Sequence, residues 1–193
     1  METNLAYDDS YETVYDELID GRFVAMSPSP SSKHNIVAEN LYSIFRDFLR
    51  GKPCRPCSDK WDVFLTKKDR FVPDMSVICD KSKIRANGIH GTPDLVIEVL
   101  SPSTAKRDRG YKKNVYEACG VREYWIVNPA DLSVEQYLLE DGKFVLHDLL
   151  SVYPDHMLEK MSDEEKARIP SQFSCGIFPE LIVSLDEIFS GIL

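Results

Sequence analysis

Two carboxylates stand alone inside apolar segments of the chain. Asp74 is the only acid in residues 71–78, and Glu98 is the only charge in residues 95–100. A carboxylate among apolar side chains loses hydration worth several kcal/mol unless a cation or hydrogen-bond donors replace the water. Two such acids on neighbouring strands favour one shared partner, and Mg²⁺ suits them because it binds one or two carboxylates and keeps several waters. A separate salt bridge from each acid to a Lys or Arg is the structural alternative.

A lysine follows these acids on a predicted helix. Asp108, Lys112 and Tyr116 are spaced at i, i+4 and i+8, so they share a face that can turn toward the end of the Glu98 strand. An ammonium there can polarise an attacking water and neutralise charge that develops on a phosphate in the transition state. We therefore predict that Lys112 completes the catalytic set. Tyr116 would orient it and Asp108 would hold its register, whereas a solvated face with an i, i+4 ion pair is the alternative.

The elements that must position these residues follow from apolar periodicity and turn residues. Residues 95–100 are apolar on both faces, which predicts a strand at the centre of a sheet that is covered on both sides. Ser31 or Ser32 can cap the first helix, and Gly51 and Gly120 end the two helices. The predicted elements are a hairpin over 17–26, helices over 34–50 and 105–119, strands over 61–65, 71–79, 95–100 and 123–127, and a hairpin formed by 132–139 and 144–150.

This order of strands and helices predicts an α/β fold. A mixed central sheet is flanked by helices on both faces, and β-hairpins are added near the N-terminus and the C-terminus. The turns of these hairpins are Asp20-Gly21 and Asp141-Gly142. A length of 193 residues with 43% hydrophobic residues predicts one domain, 1–193.

Charge is distributed unevenly along the chain. The net charge is −9, but residues 1–20 and 151–193 together carry −12, which leaves +3 for residues 21–150. Basic clusters lie at 67–70, 81–85 and 106–113. The middle of the chain could therefore face phosphate, with ordinary solvated loops as the alternative.

The sequence shows neither a membrane span nor an export signal, so we expect a cytoplasmic protein. Five cysteines are an odd number, and we expect reduced thiols rather than a disulfide framework. Cys54 and Cys57 form a CxxC pair, but a second pair at zinc spacing is missing from the sequence.

Six motifs occur along the chain: Glu17-Leu18-Ile19-Asp20-Gly21, SPSPSSKH ending at His34, VPD ending at Asp74, GTPDLVIEVLSPST around Glu98, D-x3-K-x3-Y from Asp108 to Tyr116, and GVREYWIVNP from Gly120. Together they resemble the Uma-two family, which is assigned to the restriction endonucleases. The resemblance covers nearly the whole chain. That family in turn looks like a branch of the PD-(D/E)xK nuclease superfamily.

The resemblance implies a restriction-endonuclease-like fold and a nuclease that cuts DNA with Mg²⁺, for which Mn²⁺ can substitute. Asp74 and Glu98 match the two acids that hold the metal. The superfamily lysine stands two residues after the second acid, where this chain has Leu100. Lys112 on the following helix is the replacement, with Lys113 as the less well-phased alternative.

Three further residues match the family pattern or stand near it. Glu17 is expected to reach the metal through water or to be structural, and His34 to contact phosphate or cap its helix. Asp94, in a second Pro-Asp, is expected to cap or bind a loop. A homodimer follows by analogy, because cutting two strands needs two active sites.

The predicted function is a metal-dependent endonuclease that hydrolyses phosphodiester bonds in nucleic acid, with DNA as the expected substrate. The alternative is a catalytically silent nucleic-acid-binding or protein-interaction domain with the same fold. Both acids and a candidate lysine favour the enzyme. The acidity of the chain and the missing lysine at position 100 favour the alternative.

Overall fold

Two six-stranded sheets form most of the fold in a computed structural model that describes residues 16–25 and 30–192. The N-terminal segment on which the expected lack of an export signal rests, and Met26 of the predicted hairpin, lie outside these residues. The strands are β1 Asp16–Ile19, β2 Arg22–Ala25, β3 Arg55–Ser58, β4 Val63–Phe64, β5 Arg70–Phe71, β6 Met75–Ile78, β7 Ile84–Arg85, β8 Gly88–His90, β9 Leu95–Val99, β10 Glu123–Asn128, β11 Ser133–Glu140, β12 Lys143–Ser151, β13 Gln172–Cys175 and β14 Phe178–Ser184.

The helices are mostly short, apart from the first and one composite helix. The composite helix runs from Ala105 to Cys119 and contains a turn of π-helix at Asp108–Lys112. The α-helical elements are α1 Ser32–Phe48, α2 Ala105–Arg107, α3 Lys113–Cys119, α4 Asp155–Leu158, α5 Asp163–Lys166 and α6 Leu185–Ile188.

The main sheet has the order β12-β11-β10-β9-β6-β3, so β9 lies inside it as predicted. All five residues of β9 are buried. β9 and β10 are parallel and the other neighbours are antiparallel, which makes the sheet mixed. The composite helix connects the two parallel strands, as a parallel pair requires.

Alternation along β9 divides its side chains between two apolar layers. Ile97 packs with α1 residues such as Leu41 in the larger layer, to which α6 also contributes. Val96 packs with Tyr116 of α3 in the layer on the other side. Glu98 follows the parity of Val96 and therefore points toward the composite helix. The predicted α/β architecture with helices on both faces of the sheet is confirmed.

Most predicted elements are confirmed in position. Both predicted hairpins form, with Asp20-Gly21 and Asp141-Gly142 at their turns and positive φ at all four residues. Ser31 caps α1 by accepting a hydrogen bond from the His34 N–H. Gly120 ends the composite helix with φ 82°.

Two predicted strands are corrected by the structure. The strand predicted over 71–79 is broken after Phe71, because Pro73 cannot donate to a ladder, and it resumes at Met75. The segment 61–65 keeps only two residues as strand. The sequence also did not predict the second sheet, which has the order β2-β1-β5-β4-β8-β7, or the hairpin of β13 and β14.

The cysteines also differ from the expectation of reduced thiols. Cys54 and Cys79 form a disulfide next to the paired residues Arg55 and Ile78 of β3 and β6. Cys57 is buried as a free thiol and so does not act with Cys54 as a CxxC site. The strand register brings together two cysteines that are 25 residues apart.

The described helices include none that is both long enough and apolar enough to cross a membrane.

A buried carboxylate at the start of β10 supports a stability prediction. Glu123 is fully buried and accepts hydrogen bonds from Trp125 Nε1 (2.6 Å), Gln136 Nε2 (2.6 Å), Gly176 N (3.0 Å) and Ile177 N (2.8 Å). Glu123→Gln turns one acceptor into a donor that faces other donors. We expect it to lower the free energy of unfolding by about 2–4 kcal/mol in urea titrations.

The matched control for this prediction is Glu140→Gln at the exposed end of β11. It should change the free energy of unfolding by less than about 0.5 kcal/mol. Equal urea midpoints for the two variants would show that the Glu123 carboxylate does not stabilise the junction of β10 with the hairpin of β13 and β14.

Candidate active site

Asp74 lies at a bend between β5 and β6, not inside a strand as predicted. Its Oδ2 accepts a hydrogen bond of 2.7 Å from the Val99 N–H at the end of β9. Because β6 pairs with β9 through Met75 and Ile97, the bend is held directly beside the Glu98 strand. The side chain keeps 18% exposure, so Asp74 remains accessible to a ligand.

Lys112 is buried among three carboxylates. Its Nζ lies 2.8 Å from Glu17 Oε1, 3.0 Å from Glu98 Oε1 and 3.7 Å from Asp108 Oδ1. All four side chains are at most 4% exposed. The i, i+4 spacing of Asp108 and Lys112 therefore faces the protein interior, and the alternative of a solvated ion pair is wrong.

Two acids of this cluster, Glu98 and Glu17, also accept hydrogen bonds from neutral donors. Tyr116 OH donates to Glu98 Oε1 at 2.8 Å, which places Tyr116 beside Lys112 as the helical spacing predicts. The Val72 N–H donates to Glu17 Oε1 at 3.0 Å. Glu17 belongs to β1, so the second sheet supplies an acid to a cluster that otherwise sits between β9 and the composite helix.

The π turn determines which basic side chains meet at the cluster. In an α-helix, Arg107 and Lys112 would lie about 140° apart, because five residues exceed one turn. A π-helix forms i→i+5 hydrogen bonds and brings such residues toward one face. Arg107 Nη2 accordingly lies 3.6 Å from Glu17 Oε2, on the same carboxylate as Lys112. The α-helical spacing assumed for this segment did not predict Arg107 at the cluster, because it places residues 107 and 112 on different faces.

A cavity of about 490 Å³ joins these groups. The two predicted metal ligands, the predicted lysine and the loop after β9 all contribute to its wall. The lining includes Glu17, His34, Asp74, Glu98, residues 101–104, Arg107, Asp108 and Lys112.

Burial and charge shift the titration of the cluster. Burial raises the pKa of Glu98 well above its usual value; the Lys112 ammonium lowers it, and Asp108, Asp74 and Glu17 raise it further. Burial likewise raises the pKa of Asp108. Burial lowers the pKa of Lys112, but the three carboxylates outweigh burial and hold this pKa above its usual value. Lys112 is therefore a permanent cation, whereas the acids around it are in excess.

His34 contacts the other predicted ligand. Its Nε2 lies 3.3 Å from Asp74 Oδ1. Burial lowers the pKa of His34, but the hydrogen bond and the attraction to Asp74 outweigh burial and leave the pKa above its usual value. His34 also follows the cap of α1, so the structure combines a helix-start position with a place on the cavity wall.

The cavity has the charge and the ligands for a divalent cation. Its lining contains five carboxylates, Glu17, Asp59, Asp74, Glu98 and Asp108, against three cations, Lys33, Arg107 and Lys112, a formal charge of −2 with His34 neutral. No group of three or more His, Cys, Asp or Glu side chains within 16–25 and 30–192 could hold a metal ion by protein ligands alone. Mg²⁺ does not need such a group, because one or two carboxylates and several waters suffice. The residues present therefore fit Mg²⁺.

The remaining predicted candidates lie away from this cluster. Lys113 Nζ sits 3.5 Å from the centroid of the Tyr137 ring, so the structure brings Lys112 and not Lys113 to Glu98. Asp94 accepts a hydrogen bond from the Cys79 N–H and pairs with Arg122, in agreement with the structural role expected for it. Glu98 is paired with Lys112 and Tyr116, so the salt bridge to a lysine that was the structural alternative for this acid is present.

Comparison with known proteins now adds an independent observation. The model of the Uma2 (Uma-two) family, described as "Putative restriction endonuclease", matches residues 5–164. The chain belongs to the Uma2 family. An uncharacterized protein, slr1290 of Synechocystis sp. (strain ATCC 27184 / PCC 6803 / Kazusa), is 29% identical over 127 residues, which are 65% of this chain and 66% of that protein. The match thus spans just under two thirds of the relative's length.

The fold of this Uma2 chain is similar to a solved structure. A "putative nuclease belonging to DUF820" from Anabaena variabilis ATCC 29413 superposes with a TM-score of 0.70 and 21% identity, covering 92% of this chain and 91% of that one. At this level of identity the similarity shows a shared fold. The family description supports a nuclease activity but does not specify the metal. The metal and the substrate have to be argued from the chemistry of the site.

The raised pKa of Glu98 predicts how stability depends on pH in metal-free buffer. A carboxyl group with a folded-state pKa above its unfolded value contributes stability below the unfolded pKa and loses it as pH rises through the folded pKa. Glu98→Gln removes this loss. We expect its urea midpoint to equal or exceed that of the unmodified protein near neutral pH, with the difference growing from about pH 4 upward.

Glu140→Gln again serves as the control, because its side chain is exposed and its effect should not vary in the same way with pH. If Glu98→Gln instead becomes less stable than the unmodified protein as pH rises, the Lys112–Glu98 pair is a stabilising salt bridge and the cluster has no excess of negative charge.

Proposed function

We propose that this Uma2 protein is a Mg²⁺-dependent endonuclease that hydrolyses phosphodiester bonds, with DNA as its substrate and Mn²⁺ as a working substitute. The observation that carries the proposal is the common cavity of Asp74, Glu98 and the buried Lys112 ammonium. Membership in a family described as restriction endonucleases supports the same activity.

In this proposal Asp74 and Glu98 hold the metal. Bound Mg²⁺ supplies a Lewis acid that activates water and neutralises charge on the phosphate. Asp74 presents its Oδ1 side toward His34 and the cavity, while Oδ2 is held by the Val99 N–H. Glu98 is held through Oε1 by Lys112 and Tyr116. Both ligands are thus positioned before metal or substrate arrives.

Lys112 acts as a positive charge and not as a base. Its pKa is held above the usual value by Glu98, Glu17 and Asp108. The amine therefore stays protonated near neutral pH and cannot accept a proton from water. It can polarise the attacking water or attract an oxygen of the scissile phosphate, which gains negative charge in the transition state. Glu17 and Asp108 act through Lys112 and are positioning residues.

Cleavage of both strands of a duplex requires two active sites, so we propose a homodimer as the acting form. The competing function is a silent domain that binds nucleic acid or protein. The observation that favours it is the full set of carboxylate partners around Lys112. Metal titration by calorimetry separates the two, because a silent domain has no reason to bind Mg²⁺ or Mn²⁺ in a manner that depends on Asp74 and Glu98.

The first prediction of the proposal concerns the ligands and the lysine. Asp74→Asn and Glu98→Gln keep side-chain size but remove charge, so both should abolish cleavage of defined DNA substrates in Mg²⁺ or Mn²⁺. Binding of DNA without metal should stay equal or rise, because repulsion of phosphate is relieved. Lys112→Ala should lower the cleavage rate about 10²- to 10³-fold while metal affinity changes little.

Lys113→Ala is the matched control, since Lys113 is adjacent in sequence but lies over Tyr137. It should cleave at nearly the unmodified rate. An unmodified protein that cuts neither DNA nor RNA with either metal, together with a loss of stability in Glu98→Gln near neutral pH, would favour the silent domain. Cleavage of RNA alone would correct the substrate and keep the reaction.

A second prediction concerns salt. Residues 106–113 contain five basic side chains, of which Arg109 is bound to Glu135 and Lys112 is buried. Lys113 lies over the Tyr137 ring. Lys106 is exposed and Arg107 lines the cavity, so these two remain for phosphate contact. DNA affinity should fall as salt is raised, because each neutralised phosphate releases counterions. Affinity that is flat between low and moderate salt would indicate a protein partner.

A further inference from the structure

Arg107 is a half-buried cation with few partners among the described residues. Its side chain is 23% exposed and lines the active-site cavity. Among the described residues, its Nε is buried without a hydrogen-bond partner, and it forms an ion pair of 3.6 Å with Glu17 Oε2. In the part of the chain that the structure describes, this guanidinium donates no hydrogen bond, although the group carries five N–H donors.

Glu17 does not satisfy this guanidinium. Its Oε1 already accepts from the Val72 N–H and lies 2.8 Å from Lys112 Nζ. Arg109, two residues further along the same helix, shows the contrast. Its Nε and Nη2 both donate to Glu135 Oε1, at 2.9 and 2.7 Å, outside the cavity. Arg109 is thus bound to a protein carboxylate, whereas Arg107 lines the cavity and its Nε has no hydrogen-bond partner among the described residues.

The geometry points to Arg107 as the residue that binds the phosphate of the substrate. A guanidinium matches two oxygens of a phosphate through parallel N–H donors, which the single point charge of Lys112 cannot do. The phosphate would lie in the cavity between Arg107 and the loop 101–104, within the space that Asp74 and Glu98 also line. This inference rests on the proposed function, because it assigns the substrate contact of the same site.

The arrangement also gives Lys112 and Arg107 different tasks. Lys112 is enclosed by three carboxylates, whereas Arg107 is held by one long ion pair. A phosphate can therefore draw Arg107 toward itself without breaking a hydrogen bond of the protein. The π turn makes this division possible, because it places both cations against Glu17.

The test compares Arg107→Ala and Arg107→Lys with Arg109→Ala, all in the Asp74→Asn background. Loss of one acid reduces repulsion of phosphate there, and under the proposed function it also prevents cleavage. The probe is a short fluorescein-labelled duplex DNA, with anisotropy measured in EDTA and in Mg²⁺. Urea midpoints report whether each variant is folded.

We expect Arg107→Ala to weaken binding about 10- to 100-fold, the effect of losing hydrogen bonds to a charged group. Arg107→Lys keeps the charge but not the fork and should bind more weakly than Arg107 itself. Arg109→Ala should stay within about twofold of its background, because its guanidinium is bound to Glu135.

The outcomes separate this inference from the proposed function. Weaker binding in both Arg107 variants, but no cleavage by the unmodified protein in any metal, would support the phosphate site and overturn the nuclease. Cleavage by the unmodified protein with the same KM and kcat in Arg107→Ala would overturn the phosphate contact alone. Undetectable binding in the Asp74→Asn background, or unchanged affinity in a folded Arg107→Lys variant, would also overturn it.

Discussion

The structure depends on one buried ammonium that is shared by three carboxylates. Glu17 comes from β1, Glu98 from β9 and Asp108 from the composite helix, so Lys112 joins the second sheet, the main sheet and a helix at a single point. A buried cation requires close anionic partners, since the loss of hydration would otherwise be prohibitive. Burial raises the pKa of Glu98 and of Asp108, and the neighbouring acids Asp108, Asp74 and Glu17 raise that of Glu98 further. Under the proposed function, the excess of acids over Lys112 provides for an additional cation.

The surrounding architecture can be understood from this cluster. The small second sheet brings Glu17 to the helix, and the Val72 N–H holds the same carboxylate from the segment after β5. Asp69 supports the helix from the same side by accepting a hydrogen bond of 2.9 Å from Tyr111 OH, within the π turn. π turns are rare in proteins, but those that occur are often found at functional sites. Here the turn has a specific consequence, because it places Arg107 and Lys112 on one carboxylate.

The net charge of −9 and a nucleic-acid substrate are compatible for a local reason. Under the proposed function, a cavity with a formal charge of −2 would repel phosphate until a divalent cation is bound. Under the proposed function, metal and phosphate binding therefore assist each other, and by linkage each should raise the affinity for the other by the same factor. The Uma2 family description and the similar fold of the Anabaena variabilis protein agree with this chemistry without specifying the substrate. Specificity for a nucleic-acid sequence would depend on base contacts and deformation, which lie beyond the cluster.

The sequence by itself determined the elements and residues that depend on local pattern. The apolar run of residues 95–100 gave a central strand with Glu98 buried in it, and the i, i+4, i+8 spacing placed Lys112 and Tyr116 on Glu98. Tertiary structure decided what depends on contacts between distant segments. The bend at Asp74, the pairing of Cys54 with Cys79 and the arrival of Glu17 from a second sheet follow from strand register across loops. The place of Arg107 could not be predicted for another reason. A π turn changes the helical phase as a result of packing, and residue periodicity carries no signal for it.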